Sequence, residues 1–175
     1  MVFGLFRRRD PNEALIDRIH GEIVAAGRQK ALYLDYGVED TIDGRFDLLT
    51  LHAAIALRRL NALEQPGPVL AQGVVDAIFR LLDANLREMG VGDVTVPKKM
   101  KVMVEAFLGR SAALDEALRT SPEALTASLS KNVLSGKGDA ARLSQYVQSC
   151  VAAFEAASLA QLTSAPLPYA DAAKI

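Results

Sequence analysis

Three residue types in this chain could do chemistry: His20 and His52, the lone Cys150, and the neighbouring acids Asp43 and Asp47. Covalent catalysis needs a nucleophile beside a base, and metal binding needs ligands at short, regular spacing. The two histidines and the cysteine are far apart in sequence and meet neither demand. Asp43 and Asp47 could face one site, or both could more simply complement the dipole of an exposed helix start. Gly136-Lys137-Gly138 is too short for a phosphate loop, and no Walker-type pattern occurs. A non-enzymatic binding protein is therefore expected, with no cofactor and no metal.

The most informative local pattern is cationic. Residues 86–110 read LREMGVGDVTVPKKMKVMVEAFLGR. Leu86 to Met89 close a helix, Gly90 takes the left-handed cap position, and Val91 falls where a Schellman cap packs an apolar residue back onto Leu86. Val96 precedes proline and should be extended, with Pro97 at the first helical position. Lys98, Lys99 and Lys101 then sit at the positive end of the helix dipole, where each misplaced charge costs about 0.3–1 kcal/mol. Two readings stand: solvated lysines screened by salt, or a docking point for something anionic. Arg87 and Asp93 flank this start. A second polar spot, Asp43-Gly44-Arg45-Asp47, opens the most apolar segment of the chain. A third lies at the N-terminus, where Phe3 and Phe6 precede Arg7, Arg8 and Arg9; this is a candidate membrane contact on a flexible segment, residues 1–9.

The elements that must hold these spots are helical. Asp10-Pro11 starts a helix with a stripe of Leu15, Ile16, Ile19, Ile23 and Val24. Residues 48–57 contain no charge, which marks a helix enclosed by protein, with His52 a neutral, hydrogen-bonded core residue. A helix with Leu70, Val74, Ile78, Leu81 and Leu82 on one face follows, with Asp76–Arg80 and Asp83–Arg87 as i,i+4 pairs. Met100, Met103, Val104, Phe107, Leu108, Leu114 and Leu118 form the next stripe. Gly109 within it calls for a close neighbour or a kink. Ser121-Pro122 and Asp139 cap the last two helices, and residues 163–175 read as a loose tail. No sheet is expected. The fold class is all-α, a compact single-domain bundle of about six or seven helices over residues 10–162.

Half of the 175 residues are hydrophobic and the net charge is −1, so a global basic field for nucleic acid is excluded. No apolar run is long enough to span a bilayer, and MVFGLFRRRD, apolar then basic, reads as the reverse of a secretory signal and unlike a transit peptide, so neither is expected. A cytoplasmic protein, peripheral at the inner membrane at most, is expected.

YLDYGVEDTIDGRFDLLTLH (33–52), followed by the 86–110 stretch, resembles the ubiquinol–cytochrome c reductase assembly chaperone family. The likeness is collinear from about Asp10 to Phe154, with Asp43 to Asp47, Arg87 to Gly92 and Pro97 to Lys101 matching residue by residue. The family pattern carries aromatics where this chain has Leu108 and Leu114. The resemblance implies an all-helical chaperone without catalytic residues, of bacterial type. Its implied client is newly made cytochrome b, with the ribosome as a further partner; an anionic membrane surface is a possible contact from the N-terminal residues. Two other functions remain open from the residues alone: a carrier for haem or a quinone near His52, and a peripheral membrane adaptor built on residues 3–9.

Overall fold

The computed structural model describes residues 11–175. Eight α-helices occur among them: α1 Pro11–Ala26, α2 Lys30–Leu34, α3 Ile42–Ala62, α4 Gly67–Glu88, α5 Val96–Thr120, α6 Pro122–Asn132, α7 Ala140–Ala156 and α8 Leu159–Ser164. Two of them, α2 and α8, are little more than single turns. No strand forms among the described residues. The all-α single-domain fold is thus as the sequence predicts. Asp10, Phe3, Phe6, Arg7, Arg8 and Arg9, with the whole of segment 1–9, lie outside the described residues.

Helix α3 is the centre. Leu48, Leu51, Ala53, Ile55, Ala56 and Leu60 are all buried, and α1, α4, α5 and α7 pack around it. A helix that is apolar on every side loses surface to water on every side, so enclosure is its stable placement. Its start is fixed locally. Thr41 Oγ1 accepts the Gly44 N–H at 3.1 Å, and a side chain at Gly44 would collide with the Glu39 carbonyl. The caps of α6 and α7 form as expected: Ser121 Oγ accepts from Ala124 N–H at 3.1 Å and Asp139 Oδ1 from Arg142 N–H at 2.9 Å. Two loops meet where Gly37 and Gly138, both at positive φ, approach too closely for any Cβ.

Three expectations are corrected. Residues 163–175 are not loose. Leu167 and Ala172 are buried; Leu167 N–H donates to Glu22 Oε2 at 2.5 Å, Ala172 N–H to Gln29 Oε1 at 2.8 Å, and Tyr36 O–H to the Ala172 carbonyl at 2.8 Å. Two prolines look like a tail when their partners, Glu22, Gln29 and Tyr36, are more than a hundred residues away. Secondly, the Asp76–Arg80 pair does not form; Asp76 accepts from Gln72 at 2.9 Å, while Asp83–Arg87 does form. Thirdly, Leu108 is 59% exposed rather than core. It lies one residue, hence 100°, round the helix from buried Phe107.

Candidate functional site

The join between α4 and α5 is built as a Schellman cap. Gly90 has φ +80, Gly90 N–H donates to the Arg87 carbonyl at 2.9 Å, and Val91 N–H reaches back to the Leu86 carbonyl at 3.1 Å. The chain then coils directly into α5. Thr95 and Val96 N–H both donate to the Gly92 carbonyl, at 2.8 and 3.1 Å. Val96, expected to be extended, is instead the first residue of α5 and is fully buried. Burying that side chain stabilises the turn by about 1.5–3 kcal/mol, enough to outweigh the bias against helix before proline.

This coiling changes what the helix start can offer. Val96 N–H is used, Pro97 has none, and Lys99 N–H donates to the Thr95 carbonyl at 3.1 Å. Lys98 N–H alone stays open in that first turn. The site is therefore not a cradle of backbone donors. Its character comes from side chains: Lys98, Lys99 and Lys101 are all exposed. Lys101 stands 3.9 Å from Glu105, at the outer limit of an ion pair with both groups largely in water. Among the described residues, Lys98 and Lys99 form no ion pair. The acid nearest in sequence to Lys98, Asp93, is held by Arg87 Nη1 at 2.6 Å, and Arg87 Nε is held by Asp83 at 2.7 Å. Large apolar side chains close to the lysines in sequence are also in water: Met89 at 55%, Val94 at 82% and Val102 at 63% exposure.

The second candidate spot resolves into internal pairs. Arg45 Nε donates to Asp40 Oδ1 at 2.6 Å on the surface. Asp43 is exposed in the first turn of α3. Asp47 is buried, with Arg110 Nη2 of α5 at 2.9 Å from its Oδ1, close enough for an ion pair but off the line of a hydrogen bond. Burial pushes the Asp47 carboxyl up to about 6, Arg110 pulls it down, and Asp43 adds to the rise. The Arg110 guanidinium also lies over the Phe46 ring, 5.7 Å from its centroid. Twelve residues of helix separate Lys98 from Arg110, roughly 18 Å, so the two spots do not merge. Arg110, invisible as a partner of Asp47 in the sequence, closes the 86–110 stretch; its only signal was that an acid inside an apolar helix needs a cation.

His52 is a core residue. It is fully buried; its Nδ1 donates to the Leu48 carbonyl at 2.7 Å, and its Nε2 accepts from Tyr146 O–H at 2.8 Å. A carbonyl only accepts, which assigns the proton to Nδ1. Gln29 Nε2 donates to the same Tyr146 oxygen at 3.0 Å. Burial lowers the His52 pKa to about 4. With both nitrogens engaged, His52 offers no ligand to haem, and the carrier reading loses its residue.

Residues 34–169 match the family model described as Ubiquinol-cytochrome C chaperone. The chain belongs to this family. A solved structure, that of the Cbp3 homolog from Brucella abortus, superposes with a TM-score of 0.85 at 36% identity, covering 100% of this chain and 99% of that one. A curated relative from Xenopus laevis, Ubiquinol-cytochrome-c reductase complex assembly factor 1, is 26% identical over 116 residues. That match takes in 64% of this chain and spans 58% of the frog protein. The two stretches that carried the resemblance fall within the matched range, apart from Tyr33 at its edge. No helix among the described residues is long and apolar enough to cross a membrane.

Proposed function

We propose that this chain is a non-enzymatic assembly chaperone for ubiquinol–cytochrome c reductase, and that its client is newly made cytochrome b. Family membership supports the class of work. The observation that carries the contact site is the lysine group at the start of α5. Among the described residues Lys98 and Lys99 form no ion pair, Asp93 is occupied by Arg87, and Met89, Val94 and Val102, close to them in sequence, are exposed. Unpaired cations next to exposed apolar side chains suit a polypeptide that is part apolar and part acidic. Arg87 and Asp93 shape the turn, Asp47 ties α3 to α5 through Arg110, and Arg45 pairs with Asp40 just before α3. The protein works on the cytoplasmic side, peripheral to the inner membrane, where the ribosome and anionic lipid offer further negative surfaces to the same lysines and to Arg7, Arg8 and Arg9.

The test is retention of epitope-tagged cytochrome b by the purified protein. The Lys98→Glu, Lys99→Glu, Lys101→Glu variant should lose retention while keeping its helical fold. Retention equal to the wild type removes the lysines from the contact.

A further inference from the structure

The contact between α3 and the second half of α5 is poorly satisfied. Among the described residues, four buried side-chain polar atoms have no hydrogen-bond partner. Three of them lie here: Asp47 Oδ1 and Thr50 Oγ1 on α3, and Ser111 Oγ on α5. Packing is broken in the same place. A cavity of about 20 Å³ is lined by Thr50, Arg110 and Leu114 together with Leu129 and Val133 of α6. An open cleft of about 300 Å³ adjoins it, between Arg58 and Asn61 of α3 and Ser111 and Asp115 of α5. Ala54 and Leu114 line both spaces. Side chains that border a void lose the dispersion contacts of a close-packed core, and unpaired buried polar atoms add their own cost. The helix itself is correspondingly shallow: α5 buries four of its 25 residues, where α3 buries twelve of its 21.

The two halves of α5 are held differently. Before Gly109, Val96 is fully buried and the Phe107 ring meets Phe79 of α4 edge-on, with centroids 5.3 Å apart. After it, α5 reaches α3 through the Asp47–Arg110 pair and through Arg58, 3.1 Å from Asp115. Gly109 stands at the division. A Cβ there would meet no atom within 4 Å, so no close neighbour accounts for a residue that weakens a helix interior. A joint in the helix does. The far boundary is the α6–α7 loop. Ser135 and Gly136 both take positive φ, and the Cβ position of Gly136 is open, whereas Gly138 is wedged against the Tyr36 carbonyl. As a whole, α5 packs more extensively on α6 than on α3 or α4.

We propose that residues 110–134, the second half of α5 together with α6, open away from α3 as one unit, hinged at Gly109 and at the Ser135–Gly136 turn. The unit slides along α7 as it opens, a shear at one contact combined with a hinge at each end. Opening lets water reach Asp47, Thr50 and Ser111, whose hydrogen bonds the closed form leaves unmade, and this lowers its cost below that of global unfolding. It bares Leu51, Leu114 and Leu129, while Phe107 and the lysine end of α5 keep their place on α4. The motion goes beyond the client reading and stands without it.

The test is thiol trapping in the full chain. Thr50→Cys places a thiol at a position 1% exposed, and fully buried Cys150, between α7 and the C-terminal segment, is the control. An aromatic disulfide reports both thiols, with mass spectrometry assigning the site. The introduced thiol should react at least tenfold faster than Cys150. Tyr169→Phe, which loosens the opposite side of α3, should quicken Cys150 about fivefold and leave the introduced thiol unchanged. Gly109→Ala puts a better helix former at the joint and should slow the introduced thiol about fivefold. Equal rates at the two thiols, both quickened by Tyr169→Phe, mean that only global unfolding exposes them and overturn the proposal. An unchanged rate in Gly109→Ala overturns it as well. Should Thr50→Cys fail to fold, amide hydrogen exchange decides. Residues 110–134 should exchange as one set faster than α3 and α7, and Tyr169→Phe should quicken α3 and α7 alone. Exchange of all three together, quickened together, overturns the proposal.

Discussion

Arg87 Nη1 donates to Asp93 Oδ1 at 2.6 Å across the turn that joins α4 to α5. This contact occupies the carboxylate of the turn that leads into the lysines. Asp93 is the carboxylate nearest in sequence to Lys98, and Arg87 holds it against the end of α4. Among the described residues, Lys98 and Lys99 are left without an ion pair, and Lys101 keeps only the 3.9 Å contact with Glu105.

Exchanging the lysines should not cost stability. Acids are favoured in the first turn of a helix by about 0.3–1 kcal/mol each, and cations are disfavoured there. Lys98→Glu with Lys99→Glu should leave the melting temperature unchanged or raise it at low salt, with the gain fading as salt is added. A clear drop in melting temperature would mean that these side chains hold the fold.

Arg87→Ala should be mild in stability and marked in local motion. Arg87 and its two acids are all well exposed, and such pairs contribute little. Amide hydrogen exchange over residues 90–95 should quicken while global unfolding shifts only slightly. Unchanged exchange there would remove Arg87 as the clamp of the turn.

Two buried groups should oppose one another in pH dependence. His52 is lowered to about 4 from an ordinary 6.5, so below pH 6.5 the unfolded chain binds a proton that the fold refuses. Stability from His52 is therefore lost as pH falls from 6.5 towards 4. Asp47 is raised to about 6 from an ordinary 3.8, so between these values the fold holds more protons than the unfolded chain. Stability from Asp47 is therefore lost as pH rises from 4 to 6. Each effect is on the order of 3 kcal/mol at full development, and in the wild type they largely cancel. Asp47→Asn should unmask loss of stability in acid, and His52→Gln should unmask loss of stability towards neutral pH. Urea midpoints between pH 4 and 7 will show it; parallel curves for the two variants would contradict it.

The C-terminal segment should behave as core. Tyr169 O–H donates to the His52 carbonyl at 2.7 Å, and its ring lies 4.8 Å from that of Phe154. Tyr169→Phe should cost about 1 kcal/mol, the net value of one hydrogen bond. Tyr169→Ala should cost about 3–5 kcal/mol, as for other large aromatic truncations. Denaturant unfolding measures both, and a negligible loss in Tyr169→Ala would restore the loose tail.

The helices were readable wherever local rules agreed with each other. Gly90 with Val91, Ser121 with Pro122, and Asp139 each announce a helix end through bonds made within a few residues. The uncharged run at 48–57 announced the central helix for the same reason, since its pattern is complete within itself. What escaped notice depends on distant partners. Nothing near Asp47 points to Arg110, and nothing near Tyr169 points to His52. Leu108 was misplaced because an apolar residue beside a core stripe looks like core until the facing helix is known. At the candidate site, the lysines were visible from helix electrostatics alone, while the exposure of Met89, Val94 and Val102 needed the structure.

The central claim is that this chain assembles complex III through the lysine end of α5. Its most direct test is complementation of a strain lacking the gene, with assembled complex III measured by native gel and by the reduced cytochrome b spectrum. The account predicts loss of complex III in the deletion, recovery with the wild type, and no recovery with Lys98→Glu, Lys99→Glu, Lys101→Glu at equal protein level. Full complex III in the deletion strain, or full recovery with that variant, would contradict it.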